Sequence, residues 1–116
     1  MRNLIAAAAL AAAWPATGGA FETITSRDAF VDLVDGRQLT RTGIALTVDT
    51  AGEIAGRAFG ARVSGAWRWE DGFFCRTLYL GRRDLGANCQ LVEARGDTLR
   101  FTLDRGAGDF ADLRLR

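Results

Sequence analysis

The residues of this 116-residue chain that could do chemistry are two cysteines, fourteen carboxylates and fifteen arginines; histidine and lysine are absent. With both of these common bases missing, Ser26 and Ser64 have no partner to activate a hydroxyl for nucleophilic attack. Paired carboxylates could run a hydrolysis, yet Glu70-Asp71 and Asp109 with Asp112 fall at turns or on alternating faces, where solvated charge is the ordinary role. Asp104 to Asp109 with Asp112 offers oxygens to a cation, but without the alternating ligand order and closing glutamate of a calcium loop. Cys75 and Cys89 are too far apart for a C-x-x-C pair, and no histidine exists to complete a zinc site, so their even count predicts one disulfide between them. Gly56-Arg57-Ala58-Phe59-Gly60 and Gly106-Ala107-Gly108 lack the strand-loop-helix setting of a nucleotide site. The chain is therefore expected to hold no catalytic residue, no metal and no cofactor.

A second group is chemically quieter. Trp67, Trp69, Phe74 and Tyr79 read first as hydrophobic core and second as a surface for stacking a ligand. Arg76 keeps the second reading open. If Trp67 and Trp69 face inward, Arg76 shares their face, where it must pair with a carboxylate, stack on an indole or bind something anionic. Trp67, Trp69, Arg76 and Tyr79 are accordingly the candidate ligand-binding residues.

The elements that must position them are mostly strands. Thr25 and Ser26 cap an expected helix over 27–35, with Asp28 in its first turn, Phe30, Val31, Leu33 and Val34 as its apolar face, and Gly36 as its stop. From there the apolar period is two: Ile44, Leu46 and Val48; a strand over 53–59; then Val63, Gly65, Trp67 and Trp69. Asp71-Gly72 is the residue pair that a two-residue type I′ hairpin requires, because both positions need positive φ. That turn sets Trp69 opposite Phe74, Trp67 opposite Arg76 and Gly65 opposite Leu78. A loop from Gly81 to Asn88 follows, then a strand opening at Leu91-Val92. After the Gly96-Asp97 turn come Leu99, Phe101 and Leu103, and finally Phe110, Leu113 and Leu115. Six or seven short strands with one short N-terminal helix predict a mainly β, antiparallel meander that curls into a barrel or half-barrel to hide its edges.

Arg2, ten apolar residues from Leu4 to Ala13, the helix-breaking Trp14-Pro15 and the small residues up to Ala20 follow the order of a secretory signal peptide, 1–20, with cleavage after Ala20. Ten apolar residues reach about 15 Å, half a hydrocarbon core, so no membrane span is expected. Phe21, not cysteine, follows the cut, which argues against a lipid anchor. The remaining residues, 21–116, make one small domain destined for the periplasm or the outside of the cell, where a disulfide closing a loop of about 15 residues is worth on the order of 3 kcal/mol. Balanced, interspersed charges give nucleic acid no basic patch to bind.

Residues 65–76, Gly-Ala-Trp-Arg-Trp-Glu-Asp-Gly-Phe-Phe-Cys-Arg, together with Asn88-Cys89-Gln90, resemble a group of small exported bacterial proteins of unknown function. In these a tryptophan strand, a tight turn and a first cysteine precede a second cysteine about a dozen residues on. The resemblance spans roughly residues 40–104 and implies the fold rather than an activity. Some relatives bear the name dihydrodipicolinate reductase, which would imply a G-x-G-x-x-G phosphate loop and a histidine-histidine-lysine catalytic segment; neither is present.

The expectation drawn from all this is a monomeric, non-enzymatic envelope protein that binds a small molecule or another envelope protein. An enzyme, either a carboxylate-based hydrolase or the reductase of that name, and a purely structural module are the competing classes. A deep pocket with converging carboxylates would favour the enzyme, one lined by tryptophan and arginine the binding protein, and a filled barrel the structural module.

Overall fold

A computed structural model describes residues 19–116. Apart from Gly19 and Ala20, the expected signal peptide lies outside the described residues. The elements, in chain order, are β1 (Glu22–Thr23), α1 (Arg27–Val34), β2 (Gln38–Arg41), β3 (Ile44–Val48), β4 (Glu53–Ala58), β5 (Ala61–Glu70), β6 (Phe73–Leu80), β7 (Arg83–Arg95), β8 (Thr98–Thr102) and β9 (Phe110–Leu115). From β2 to β9 each strand pairs antiparallel with the next, and β9 returns to β2, so eight strands close a barrel and abolish its edges. Closure is narrow. β2 and β9 meet at Leu39↔Leu115 and Thr40↔Arg114, whereas β6 pairs with β5 over its whole length, from Val63↔Leu80 to Glu70↔Phe73. β1 adds a short flank to β7, Glu22 opposite Ala94 and Thr23 opposite Glu93.

Period two decides what faces inward. The hairpin register places Trp67 opposite Arg76 and Trp69 opposite Phe74, as the Asp-Gly turn requires, with Asp71 and Gly72 both at positive φ. Ladder by ladder, the interior receives Leu39, Leu46, Val48, Ile54, Val63, Val92, Leu99, Phe101, Leu113 and Leu115. Two interior positions are glycine by necessity. A Cβ on Gly56 would run into the Ala45 carbonyl, and one on Gly65 into the Thr77 carbonyl, so both let neighbouring backbones close up where the wall bends.

α1 plugs one end. Its N-cap is Ser26, whose Oγ accepts from the Ala29 N–H at 3.1 Å, and it stops before Gly36, which takes positive φ. Phe30, fully buried, drops from the helix into a set of rings: Trp67, Trp69 and Phe74 lie 5.1–5.3 Å away and Phe101 lies 6.4 Å away. Such rings supply much of a small domain's apolar burial.

The structure corrects the sequence reading at three places. Residues 81–88 are not a loop. Gly81 and Arg82 make a tight turn, and Arg83 onward pairs with β6, with Leu85 bulged out where the register shifts from Leu78↔Gly86 to Tyr79↔Asp84. The bulge breaks the period-two pattern, so the strand was hidden. Strand 53–59 stops at Ala58, because Phe59 takes a φ of 52° and forms a turn with Gly60. β1 and β2 are additional strands, too short to show a period.

Among the described residues no helix is long and apolar enough to cross a membrane. Outward strand faces carry Arg57, Arg62, Arg68 and Arg114, all exposed, where a lipid-facing barrel would present an apolar band.

Candidate functional site

Eight strands enclose a space just wide enough for packed side chains or one small ligand. Here the two uses divide the barrel. Near α1 the space is filled by Phe30 and the rings around it; towards the far end it opens as a cavity of about 300 Å³. The far end is bounded by the turns after β2, β4 and β6 and by the longer β8–β9 loop. Leu39, Leu46, Val48, Ile54, Leu78 and Leu113 wall the cavity, and Phe74 and Phe101, 5.4 Å apart, separate it from the helix end. Arg41, Asp109 and Phe110 stand at its mouth.

Two polar side chains interrupt the walls, Arg76 and Gln90. Gln90 is buried opposite Phe74, and Arg76 is half-buried opposite Trp67 and Asn88. Arg76 donates from Nη1 to the Gly86 carbonyl at 3.1 Å, and among the described residues it has no ion pair. The β7 bulge explains this partner, since it turns the backbone at Gly86 towards the lumen. Burial pushes the Arg76 pKa below its ordinary value, though a guanidinium stays charged at neutral pH. Neither of the protein partners considered from sequence, a carboxylate or an indole face, meets Arg76 among the described residues. The carboxylates that form ion pairs, Glu70, Asp97 and Asp112, do so with Arg68, Arg37 and Arg100, and the indole face of Trp67 is taken by Arg27, 5.2 Å from the ring centroid and also hydrogen-bonded to the Thr50 carbonyl.

The other sequence candidates disperse. Trp67 is buried near the helix end and donates from Nε1 to the Asp49 carbonyl at 2.8 Å. Trp69 stacks on Phe30, and its buried indole N–H meets no acceptor among the described residues. Both serve the aromatic plug, leaving Phe74 and Phe101 to line the cavity. Tyr79 is on the outer wall, exposed and opposite Ser64, away from Arg76. Cys75 and Cys89 face each other across β6 and β7 and are bonded, on the outer side of the wall.

Neither carboxylate pair converges. Glu70 pairs with Arg68 at 2.7 Å, and Asp112 holds Arg100 through two hydrogen bonds of 2.8 and 3.0 Å. The hydrogen bond from Arg100 keeps the Asp112 carboxyl below its usual range. Arg100 is itself sandwiched, 4.1 Å from the Phe21 ring centroid and 4.0 Å from that of Phe110. Asp104 and Asn88 clamp the β8–β9 loop to β7, the Asn88 amide donating to Asp104 Oδ1 and the Asp104 N–H to Asn88 Oδ1. No cluster of three or more potential metal ligands occurs among the described residues.

Sequence reasoning missed Arg41, Gln90, Phe101 and Phe110 as lumen and mouth residues. Phe101 carried a signal, its inward parity on β8, but only a closed barrel sets it across from Arg76. No family model matches the chain, and none of the curated proteins or solved structures compared with it matches.

Proposed function

We propose that this protein is exported and acts, as a monomer and without catalysis, by holding a small molecule inside the open half of its barrel. The observation that carries this reading is the lumen: about 300 Å³, apolar walls, two convergent polar side chains and an opening at one end. Those are the usual attributes of a small-molecule site, at the low end of the size range of about 300–1,000 Å³. The enzyme reading finds no support there, because Glu70 and Asp112 are engaged by Arg68 and Arg100 and Asp109 is the single carboxylate among the cavity residues. Export is supported by the order of charged, apolar and small residues over 1–20 and by the Cys75–Cys89 disulfide, which an oxidising compartment would sustain.

The test is native mass spectrometry of protein recovered from the envelope of its own host, combined with titration by the neutral fluorophore N-phenyl-1-naphthylamine. The expected result is a mature chain beginning at Phe21 that retains a small ligand, or that binds the fluorophore saturably at one site. A full-length cytosolic product removes the export reading. Protein without a retained molecule and without saturable uptake of the fluorophore removes the binding reading.

A further inference from the structure

Arg76 is the feature of the lumen that apolar binding alone leaves unexplained. A guanidinium has five N–H donors in a planar fork. Here the Nη1 group reaches the Gly86 carbonyl, no carboxylate among the described residues pairs with the side chain, and Arg76 lines a cavity walled by leucine, isoleucine, valine and phenylalanine. A cation in such surroundings is poorly solvated, and any anion that reaches it is attracted more strongly than it would be in water.

From this arrangement, and resting on the reading of the lumen as a ligand site, we propose that the ligand is an aliphatic monocarboxylate, its chain against the apolar wall and its carboxylate on Arg76. The planar fork suits the two oxygens of a carboxylate. One half-buried positive charge among apolar walls offsets one negative charge, which favours a monoanion. The volume suits a single short to medium chain and is too small for a two-chain lipid. Gln90, buried beside Phe74, offers the carboxylate a second donor.

Calorimetry on the mature, oxidised protein with octanoate, decanoate, decanol and decyl phosphate, all below their micellar concentrations, tests the assignment. Decanoate should bind at least about ten-fold more tightly than decanol, the value of a hydrogen bond to a charged group. Each added methylene should tighten binding about four-fold until the cavity is full. Decyl phosphate, which carries more negative charge than Arg76 can offset, should bind more weakly than decanoate. Arg76→Met should abolish the preference, so that decanoate binds no more tightly than decanol to the same variant, whereas Arg76→Lys should keep part of it. Equal affinities of decanoate and decanol for the wild type, tighter binding of decyl phosphate, or a carboxylate preference that survives Arg76→Met would each overturn the proposal. Should Arg76→Met fail to fold, the wild-type ligand series decides by itself. Decanol binding without a carboxylate preference sinks this assignment and leaves the lumen reading standing; failure of every amphiphile and of the neutral fluorophore sinks both.

Discussion

Trp67 and Trp69 sit two residues apart on one face, yet they have opposite polar fates. The Trp67 indole N–H has the Asp49 carbonyl as its acceptor, and that of Trp69 is buried without one. Trp67→Phe removes a hydrogen bond and leaves the Asp49 carbonyl only the Gly52 N–H at 3.3 Å, so it should cost about 0.5–1.5 kcal/mol beyond the lost ring volume; Trp69→Phe removes an unsatisfied donor, which offsets much of the lost volume. Denaturant unfolding of the two variants checks the order, and a Trp69→Phe protein less stable than Trp67→Phe contradicts the pairing. Asp112 makes a pH prediction. Because Arg100 lowers its folded pKa, its contribution is complete above the unfolded value of about 3.9 and is lost as pH falls through the lower folded value. Melting temperatures of the wild type and Asp112→Asn should therefore differ at neutral pH and converge in acid. At this scale the sequence was half legible: Asp71-Gly72 set the register that sends Arg76 inward, but the partner of Arg76 is a backbone carbonyl, and no side-chain pattern announces one.

Among the elements, the β6–β7 hairpin has the least expected construction. The disulfide does not tie down a loop; it joins two directly opposed residues of a hairpin already paired from Leu80↔Arg83 to Phe74↔Gln90. Its effect on the unfolded chain is unaltered by that, since it still closes a loop of about 15 residues, and Cys75→Ser should lower stability by about 2–4 kcal/mol. Equal melting of the wild type and the variant under non-reducing conditions would show that the hairpin holds without the bond. Strands with five or more residues in alternation were visible beforehand. β2 was not, because four residues are too few to establish a period, and the first half of β7 was not, because one bulged leucine shifts its parity. The missing β2 is the one strand that turns a curled sheet into a closed barrel.

For the molecule as a whole, the charges that look interspersed in sequence are sorted in space. The turns and strand ends at the open end carry Arg41, Arg57, Arg62, Arg82 and Arg83 against Asp84 and Asp109, while α1 and the turns and strand ends beside it carry Asp28, Asp32, Asp35, Asp49, Glu53, Glu70, Asp71 and Asp97 against Arg27, Arg37, Arg68, Arg95 and Arg116. An antiparallel meander delivers successive turns to alternate ends, so a polarity along the barrel axis is unreadable until the topology is known. Its field draws anions to the mouth. The seam between β2 and β9 has a consequence in time. It joins residues 38–40 to residues 114–116, nearly the whole length of the domain, through a short ladder. Contacts so distant in sequence form late, after the loop entropy of everything between them has been lost, and so short a ladder opens first. Amide exchange followed by mass spectrometry should find the amides of Gln38, Thr40, Arg114 and Arg116, which bond across the seam, exchanging well before those at the centre of β5 and β6. Uniform protection around the barrel would mean that its wall opens only by unfolding as a whole; early exchange at the seam would make this a second way into the lumen, beside the open end.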